Sequence, residues 1–454
     1  MTAVITDRFR HSIVGDIIDG INDSSSTYYI GLGRSEYWDS SDTAPTPTND
    51  LAEVREFRQS LQAIKKITAT SYVVPRVNWI TGTTYAQYDD TTAGYPSPSY
   101  YVMTENFGVY ICLRTGRNAA GETVASTVEP SGSNNHPFET ADGYVWKFLY
   151  TISALEANYF LSANYMPVSK IVGSLDSDAT GIQLKHKEIQ DTAKSGMITS
   201  ILVTNGGSGY TSPPDIVISG NGDTIVTGSI TSTIDSSVDS GSVTRIEFAN
   251  DSSTLIYPTN YDYASVTLTG GGGSGATARA IISDEDGIGF DARKDLKSSA
   301  LMLHTKVSGS EEDFIVVQDF RQVGLIRDPK KYGSDSDFID NTGNALRSLT
   351  LSSTTTAFSV DKTIVGATSG TKAYIDEVDS DTIYYHQSAA TGYGSFSSGE
   401  TITESDGPGE GIIGTITDSS EFDPFSGDIL YIDNRSAIER MSNQIEDIKI
   451  ILQL

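Results

Sequence analysis

The sequence is poor in cysteine, histidine and basic residues, and each shortage excludes a class of function. Its 454 residues contain one cysteine, Cys112, so neither an internal disulfide nor a cysteine-ligated metal cluster can form. The five histidines stand singly along the chain, which disfavours a histidine-rich metal centre. Acidic residues outnumber basic ones by 59 to 31, and a net charge of −28 repels both nucleic-acid phosphates and anionic membrane surfaces. We therefore expect no nucleic acid, membrane, metal or cofactor among the partners of this chain.

Long apolar runs and catalytic motifs are also missing. No segment approaches the ~20 apolar residues of a membrane-spanning helix, and no apolar stretch of a signal peptide follows the charged N-terminus. Residues 270–275 have the spacing G-x-G-x-x-G, but a strand-like run follows them where a dinucleotide fold needs a helix. The acidic stretches 284–287 and 335–340 lack the ligand spacing of a calcium loop. We predict a soluble protein that is not an enzyme, although a sugar-hydrolysing carboxylate pair would have no recognisable spacing.

Glycine, tyrosine and small polar residues are abundant instead. The chain has 42 Gly and 24 Tyr, and 37% of its residues are hydrophobic, which is enough to form cores. This composition is typical of short strands joined by many turns. The predicted fold class is therefore mainly β with a few helices.

Local patterns place the predicted helices and strands. Apolar residues three to four apart predict a helix within the first 25 residues, and a capping-box pattern at Asp50 and Glu53 predicts the start of a second. The predicted buried stripe of this second helix, followed by its last turn, is Leu51, Val54, Phe57, Leu61 and Ile64, then Lys65 and Lys66. Strands are predicted at 26–32, 72–74, 100–103, 109–113, 144–152, 428–432 and 445–452, with a turn at 434–435.

Changes in composition divide the chain. Residues 175–285 and 346–420 are short β runs punctuated by Gly, Ser and Asp, and we interpret them as two inserted β-rich modules. The remaining segments, 1–174 with 286–345 and 421–454, form the predicted core. Within the first module, 198–220 and 243–270 look like two copies of one hairpin unit, which we expect to share a core.

Five short motifs stand in order along the predicted core. They are GLGRSEYW at 31–38, with Arg34, Glu36 and Trp38; PRVNW at 75–79, with Pro75, Arg76 and Trp79; DGYVWKFLY at 142–150, with Asp142, Gly143, Tyr144 and Trp146; DFRQ at 319–322; and GDILYIDNR at 427–435, with Tyr431, Asn434 and Arg435. Together they resemble the baseplate wedge protein family (gene product eight type) of T-even-like contractile-tailed phages. The resemblance covers roughly half of the chain and leaves out both modules.

The resemblance implies a structural role. It implies a mainly β subunit with a β-sandwich-like core, which forms a homodimer and packs against neighbouring baseplate wedge proteins, including proteins that carry fibres or fibre adaptors. The expected location is the tail baseplate of the virion, assembled in the host cytoplasm, and no catalytic residue comes with the family. We expect Arg34 and Glu36 to form an ion pair before Trp38, and Asn434 and Arg435 to fix a C-terminal hairpin.

Two other functions remain open from the sequence. A carbohydrate-binding tail module would hold host glycans on tyrosine and tryptophan side chains of 175–285 or 346–420. A glycan-degrading tail enzyme is the third alternative, but two degenerate copies are too few for the regular repeats of a β-helical depolymerase.

Overall fold

The computed structural model describes residues 3–23, 25–118, 122–175, 179, 181–223, 230–235, 241–248, 250–251, 254–255, 257–309, 311, 313–316 and 318–454. It is 41% strand and 11% helix, which confirms the mainly β fold class. No helix in these residues combines the length and the apolar character needed to cross a membrane.

The helices are short and few. They are α1 (Asp7–Asn22), α2 (Leu51–Gln59), α3 (Ala154–Phe160), α4 (Gly181–Asp191) and α5 (Ala292–Asp295). The strands are β1 (Tyr28–Gly33), β2 (Leu61–Lys66), β3 (Ala69–Pro75), β4 (Tyr101–Met103), β5 (Gly108–Arg114), β6 (Phe138–Glu139), β7 (Val145–Thr151), β8 (Tyr165–Val168), β9 (Ile198–Ser208), β10 (Asp215–Gly220), β11 (Ile230–Asp235), β12 (Ser242–Phe248), β13 (Asn250–Asp251), β14 (Thr254–Leu255), β15 (Ala264–Thr269), β16 (Ser274–Ile282), β17 (Ala300–Ser308), β18 (Asp319–Arg327), β19 (Thr342–Asn344), β20 (Arg347–Thr356), β21 (Thr363–Gly366), β22 (Lys372–Asp379), β23 (Thr382–His386), β24 (Thr401–Glu404), β25 (Glu410–Thr417), β26 (Asp428–Glu439) and β27 (Ile445–Gln453).

The chain forms two compact units. The first unit is Met1–Asp16, Ser71–Met302 and Ile451–Leu454, and the second unit is Ile17–Thr70 and Leu303–Ile450. The chain passes from one unit to the other inside α1, β3, β17 and β27.

The second unit contains a five-stranded sheet in the order β19-β2-β1-β18-β26. Its central strands pair Gly31 of β1 with Gly324 of β18, and a Cβ atom on Gly324 would lie 2.2 Å from the ring of Phe57. The two glycines therefore leave the space in which α2 buries Phe57 against the sheet. The core here also contains Tyr29, Leu61, Ile64, Ile326, Phe338 and Phe422.

A closed six-stranded barrel follows in the second unit, in the order β20-β23-β22-β21-β24-β25. Alternate residues of its strands point inward, as the burial pattern of β21 and β24 shows. The interior is filled by Leu349, Leu351, Ile364, Ala373, Ile375, Ile383, Tyr385, Ile402 and Ile413. Since the strands close on themselves, the barrel has no free sheet edge.

The first unit has a four-stranded sheet, β4-β5-β7-β6, whose buried strands carry most of the aromatic core.

A second group of sheets in this unit contains the two sequence copies. The expectation that the copies share a core is confirmed, because Ile198 and Tyr210 of one copy pack with Val243 and Tyr261 of the other. Residues 249, 252–253 and 256 of the second copy lie outside the described residues.

The prediction that each sequence copy folds as a hairpin is wrong. The first strands of the two copies, β9 and β12, pair with each other through Ile201 and Ile246. The second strands, β10 and β15, pair through Ile216 and Leu268. Each strand of one copy therefore pairs with the corresponding strand of the other copy and not with its own neighbour in sequence. This arrangement buries the apolar faces of both copies in one core.

The second predicted helix begins as expected but ends early. The Asp50 carboxylate accepts the N–H groups of Ala52 and Glu53, while Glu53 accepts the Thr48 N–H instead of completing the capping box. The helix ends at Gln59, so the predicted positions of Leu61, Ile64, Lys65 and Lys66 in it are wrong. Those residues form β2, because pairing with β1 and β19 satisfies their backbone groups in the sheet.

Helix α4 lies inside the module 175–285, where His186 and Ile189, three residues apart, bury one face. The predicted turn at 434–435 and the predicted C-terminal hairpin are wrong. Asn434 and Arg435 lie within the continuous strand β26 and not in a turn, since Asn434 pairs with Gln322 of β18. Strand β27 forms as predicted, but it lies in a different sheet from β26, so the C-terminal hairpin is absent from the described residues.

Candidate functional site

The five sequence motifs meet in two clusters, one in each compact unit. The first unit brings together 75–79 and 142–150, and we call Trp79, Tyr85, Tyr144 and Trp146 the aromatic cluster. The second unit brings together 31–38, 319–322 and 427–435, and we call Ser35, Asp42, Arg321, Gln322 and Asn434 the polar cluster.

Arg321 forms the centre of the polar cluster. Its side chain is 1% exposed and lies on β18. The guanidinium donates to both carboxylate oxygens of Asp42, at 2.7 and 2.9 Å, and to the Ser35 carbonyl at 2.6 Å. It also pairs with Asp319 at 2.7 Å and lies over the ring of Tyr37. Two carboxylates raise the pKa of Arg321 against the opposing effect of burial, so this charge is fixed and serves to hold the 35–42 loop on β18.

A chain of side-chain hydrogen bonds extends from the next residue of the same motif. Ser60 donates to Gln322 at 3.2 Å, and Gln322 donates to Asn434 at 2.8 Å. Asn434 in turn donates to the Glu53 carboxylate of α2 at 3.0 Å. The Asn434 amide therefore links α2 to the edge strand β26, on which Asn434 lies.

The loop 34–38 is held by contacts of Trp38 and not by the predicted ion pair. Arg34 has φ of 62° and places its guanidinium over the Trp38 ring, 4.0 Å from the centroid. The Trp38 indole donates to the Arg435 carbonyl at 2.9 Å, while the Arg435 side chain pairs with Asp433. The expected ion pair between Arg34 and Glu36 is wrong, because the left-handed backbone at Arg34 directs its side chain to the indole.

Glu36 instead faces a buried pair on the barrel. The Ser35 hydroxyl donates to Asp376 of β22 at 2.7 Å, and Asp376 bonds His386 of β23 at 2.7 Å. Glu36 lies 3.8 Å from the other ring nitrogen of His386. Burial alone would lower the pKa of His386, but Asp376 and then Glu36 raise it above its usual 6.5.

The chemistry of this buried group favours positioning over catalysis. Ser35 donates its hydroxyl proton to Asp376, whereas a nucleophilic serine needs a hydrogen bond to a neutral histidine that can take the proton. His386 is buried beside two carboxylates, which raise its pKa and favour its protonated form over the neutral base. The arrangement joins the loop 34–38 to the barrel within the second unit.

The aromatic cluster is built around two stacked rings. Trp146 is fully buried and stacks on Tyr144 with ring centroids 5.7 Å apart, while Tyr85 meets Trp146 edge-on at 5.7 Å. Tyr144 donates its hydroxyl to the Val124 carbonyl at 2.6 Å. The rings thus bury a large apolar area, and the Tyr144 hydroxyl keeps a partner.

Asp142 and Trp79 attach loops to this cluster. The Trp79 indole donates to Ser126 at 3.1 Å, and Ser126 donates to Asp142 at 2.9 Å. Asp142 also accepts the backbone N–H groups of Thr127 and Val128, at 2.7 and 3.0 Å. These hydrogen bonds lower the pKa of Asp142 although burial opposes them.

The remaining motif residues also have structural partners. Gly143 has φ of 81°, a left-handed conformation that glycine adopts at little cost. The Pro75 carbonyl accepts the Tyr101 hydroxyl at 2.9 Å, and Arg76 donates to the Ser162 carbonyl at 3.0 Å. Tyr431 lies on β26 opposite Leu325 of β18.

Sequence reasoning missed several side chains that complete these sites. Ser35 lay inside a quoted motif but carried no signal of its own, and Asp376 and His386 lay in a module that the motifs leave out. Lys147, inside the motif 142–150, was also missed: burial lowers its pKa to about 8 and raises the pKa of Asp295 to about 8. Strand β7 buries consecutive residues on both faces, so Lys147 is buried between Trp146 and Phe148 and no alternation in the sequence marked it.

A cleft of about 630 Å³ lies in the first unit, lined by charged side chains. Several of these charges are paired: Arg8 pairs with Asp284 at 2.7 Å, and Lys294 pairs with the neighbouring Asp286 at 2.7 Å. Among the residues that the structure describes, no group of three or more His, Cys, Asp or Glu side chains is arranged to hold a metal ion.

Two comparisons with known proteins found no match. No protein-family model matches the chain, and no curated protein matches it. The functional interpretation therefore depends on the motifs and on the geometry into which they fold.

Proposed function

We propose that this protein is a structural subunit of a phage tail baseplate wedge and acts through protein–protein interfaces. The observation that carries the proposal is the convergence of all five motifs on two clusters whose polar side chains bond to one another. Arg321, Asp42 and Asn434 bind neighbours inside the second unit, and Trp79 and Asp142 do so inside the first. Residues committed to one another in this way stabilise a scaffold and are not available to a substrate.

The edge of the five-stranded sheet supplies a surface for assembly. Strand β26 is twelve residues long and lies at the end of the sheet order, with β18 as its neighbour. Leu430 on β26 is 46% exposed, and Leu51 on the adjoining α2 is 79% exposed. A long edge strand with exposed apolar side chains is a site at which another chain can pair, and we propose that a second copy pairs there.

The mass of the full chain in solution tests this proposal. Light scattering over a range of concentrations should give about twice 48.7 kDa for the wild type. Leu430→Asp should raise the dimer dissociation constant about ten-fold or more, because it places a charge in the paired surface. Co-elution of the dimer with neighbouring wedge proteins of the same phage is the second expected result.

The matched control is Tyr393→Asp, which adds the same charge at an exposed aromatic residue of the second unit, in the connection between β23 and β24 of the barrel. It should leave the dimer unchanged. A strictly monomeric wild type, or equal weakening by both substitutions, would contradict the proposed interface. A trimer would favour a fibre-like tail protein.

Glycan binding is a second candidate function, favoured by one tyrosine in each module. Tyr263 is 65% exposed and Tyr393 is 59% exposed, and an exposed aromatic ring can stack on a sugar. Binding of host polysaccharide that is lost in the double variant Tyr263→Ala, Tyr393→Ala would support this function. Undiminished binding by the double variant, or no binding by the wild type, would dismiss it.

A further inference from the structure

The cleft of about 630 Å³ in the first unit is lined by segments that lie far apart in the chain. They are the start of α1, the loop with Tyr88 and Asp90, the pair 261–262, the end of β16 with the residues after it, and α5 with 297–298. Its volume lies within the ~300–1,000 Å³ of sites that hold small molecules in proteins. None of the five sequence motifs contributes to the lining, so the structural role proposed above leaves the cleft unassigned.

Several charged side chains of the lining already have partners of opposite sign. Arg8 pairs with Asp284 at 2.7 Å. The Arg293 guanidinium donates to both carboxylate oxygens of Asp291, at 2.8 and 3.1 Å. An ionic ligand would have to compete with these pairs, whereas a neutral ligand would leave them intact.

Three polar side chains of the lining keep free hydrogen-bonding atoms. Tyr88 is 9% exposed and packs edge-on against Tyr100, and within the described residues its hydroxyl makes no hydrogen bond. Asp295 is 7% exposed, and in the same part of the chain only its Oδ2 accepts a hydrogen bond, from the Gly289 N–H at 2.7 Å. The half-buried Lys297 ammonium has neither a hydrogen bond nor an ion pair there. A ligand that bonds these groups offsets the cost of keeping them out of water.

The two buried groups are suited to a neutral partner. Burial raises the pKa of Asp295 to about 8, so at pH 7 its carboxyl group is mostly protonated and can donate as well as accept. Burial also raises the pKa of Tyr88, which keeps the proton on its hydroxyl. Groups that both donate and accept match the hydroxyl groups of a sugar, which do the same.

We propose that this cleft binds a short neutral saccharide. Its hydroxyl groups bond to Tyr88 and Asp295 on the wall, and the Lys297 ammonium donates to a further sugar oxygen. A few convergent polar groups of this kind fix the orientation of a ligand in a pocket. The site is separate from the exposed rings of Tyr263 and Tyr393, and it does not depend on the baseplate role.

Binding of the full-length protein to an array of neutral, sialylated and amino-sugar oligosaccharides tests the proposal. The wild type should bind neutral members, and calorimetric titration with the tightest of them gives the dissociation constant. Tyr88→Phe removes only the free hydroxyl and should weaken binding about ten-fold. Lys297→Met should weaken it by a similar factor, and it tests the site even if Tyr88→Phe does not fold.

Two matched controls remove the same chemical groups elsewhere in the first unit. Tyr110→Phe removes a hydroxyl that donates to the Gly132 carbonyl, and Lys185→Met removes an ammonium paired with Glu188. Neither residue lines the cleft, so both variants should bind the saccharide as the wild type does.

The proposal is overturned if the wild type binds no neutral saccharide, if it binds only charged ones, or if Tyr88→Phe and Lys297→Met both bind unchanged. Binding that is lost in the double variant Tyr263→Ala, Tyr393→Ala but kept in Tyr88→Phe would place the sugar on the exposed rings and would also overturn it. None of these outcomes alters the expected mass of the dimer, so a failure here is distinguishable from a failure of the structural role.

Discussion

The aromatic cluster and the polar cluster hold their motifs together by opposite means. In the aromatic cluster, Tyr144 and Trp146 lie two residues apart on one face of the chain and are buried among other apolar side chains. In the polar cluster, Arg321 reaches Ser35 and Asp42, nearly three hundred residues away in sequence. The first cluster gains its stability from apolar area removed from water, and the second from charged and polar groups that must all find partners.

This difference predicts how each cluster responds to substitution. Apolar packing loses stability in proportion to the volume removed, whereas a polar network loses most when one partner leaves another buried and unpaired. Four measurements test this difference, beginning with the substitution that we expect to cost the most stability.

Trp146→Ala should be the most damaging single change. It removes a fully buried ring that contacts Tyr144 and Tyr85, at a cost of about 3–5 kcal/mol in the free energy of unfolding. Urea unfolding followed by circular dichroism measures the loss. Tyr263→Ala, at an exposed ring of the same unit, is the control and should cost less than about 0.5 kcal/mol. Equal losses would mean that the aromatic cluster does not support the fold.

Arg321→Met should cost about 2–4 kcal/mol, because it leaves Asp42 and Asp319 facing each other without their shared cation. Arg327→Met on the same strand is the matched control, since Arg327 is exposed and pairs with Asp428 at the surface. Its expected cost is below about 1 kcal/mol. If the two variants unfold at the same urea concentration, burial of the Arg321 network has no special role.

Two buried histidines, His386 of the second unit and His186 of the first, should make stability depend on pH in opposite directions. Asp376 and Glu36 raise the pKa of His386, so its contribution is complete below 6.5 and is lost as pH rises through the raised pKa. Burial lowers the pKa of His186, whose Nε2 accepts the Thr151 N–H, so its contribution is present above 6.5 and is lost as pH falls.

Stability measured between about pH 5.5 and 8.5 tests this contrast. His386→Gln should remove a loss of stability on the alkaline side, and His186→Gln should remove one on the acidic side. Arg34 also faces His386 and opposes its protonation, so Arg34→Gln should raise the pKa of His386 further. Parallel pH profiles for the wild type and His386→Gln would show that the His386–Asp376 pair does not titrate with folding.

Arg34→Ala should have the smallest effect, about 0.5–1 kcal/mol, from loss of the contact with the Trp38 ring. Arg34→Gly loses the same contact but relieves the left-handed backbone at φ of 62°, so it should be more stable than Arg34→Ala. Thermal unfolding of the two variants side by side makes the comparison. A less stable glycine variant would show that backbone strain at this position is negligible.

The aromatic cluster was largely predictable and the polar cluster was not. Strand β7 was predicted at 144–152, and its run of aromatic and aliphatic residues, Trp146 among them, is buried. The Arg34–Glu36 pair was a reasonable inference from spacing, but Arg34 has a left-handed backbone and places its guanidinium over the Trp38 ring instead. Asp376 and His386 could not be connected to Ser35, since nothing in a sequence shows which distant carboxylate a hydroxyl will meet.

The errors in secondary structure have the same origin. The helical stripe from Leu51 to Ile64 continues past the end of α2, yet the sheet takes Leu61 and Ile64 into β2. Similarly, Asn434 has turn propensity but lies in β26, where Gln322 and Glu53 hold its amide. In both places long-range pairing outweighs a local preference of a few tenths of a kcal/mol up to about 1 kcal/mol.

Sequence alone was enough for the fold class, the start of α2 at Asp50, most strands of the core, and the net charge of −28. These properties depend on composition and on periodicities of two to four residues, which act along a short stretch of chain. The tertiary structure alone decided the exchange of pairing between the two sequence copies, the closure of the barrel, and the meeting of Ser35, Asp376 and His386. Those features depend on contacts between residues far apart in the chain, and their free energy is gained only when the folded units bring the partners together.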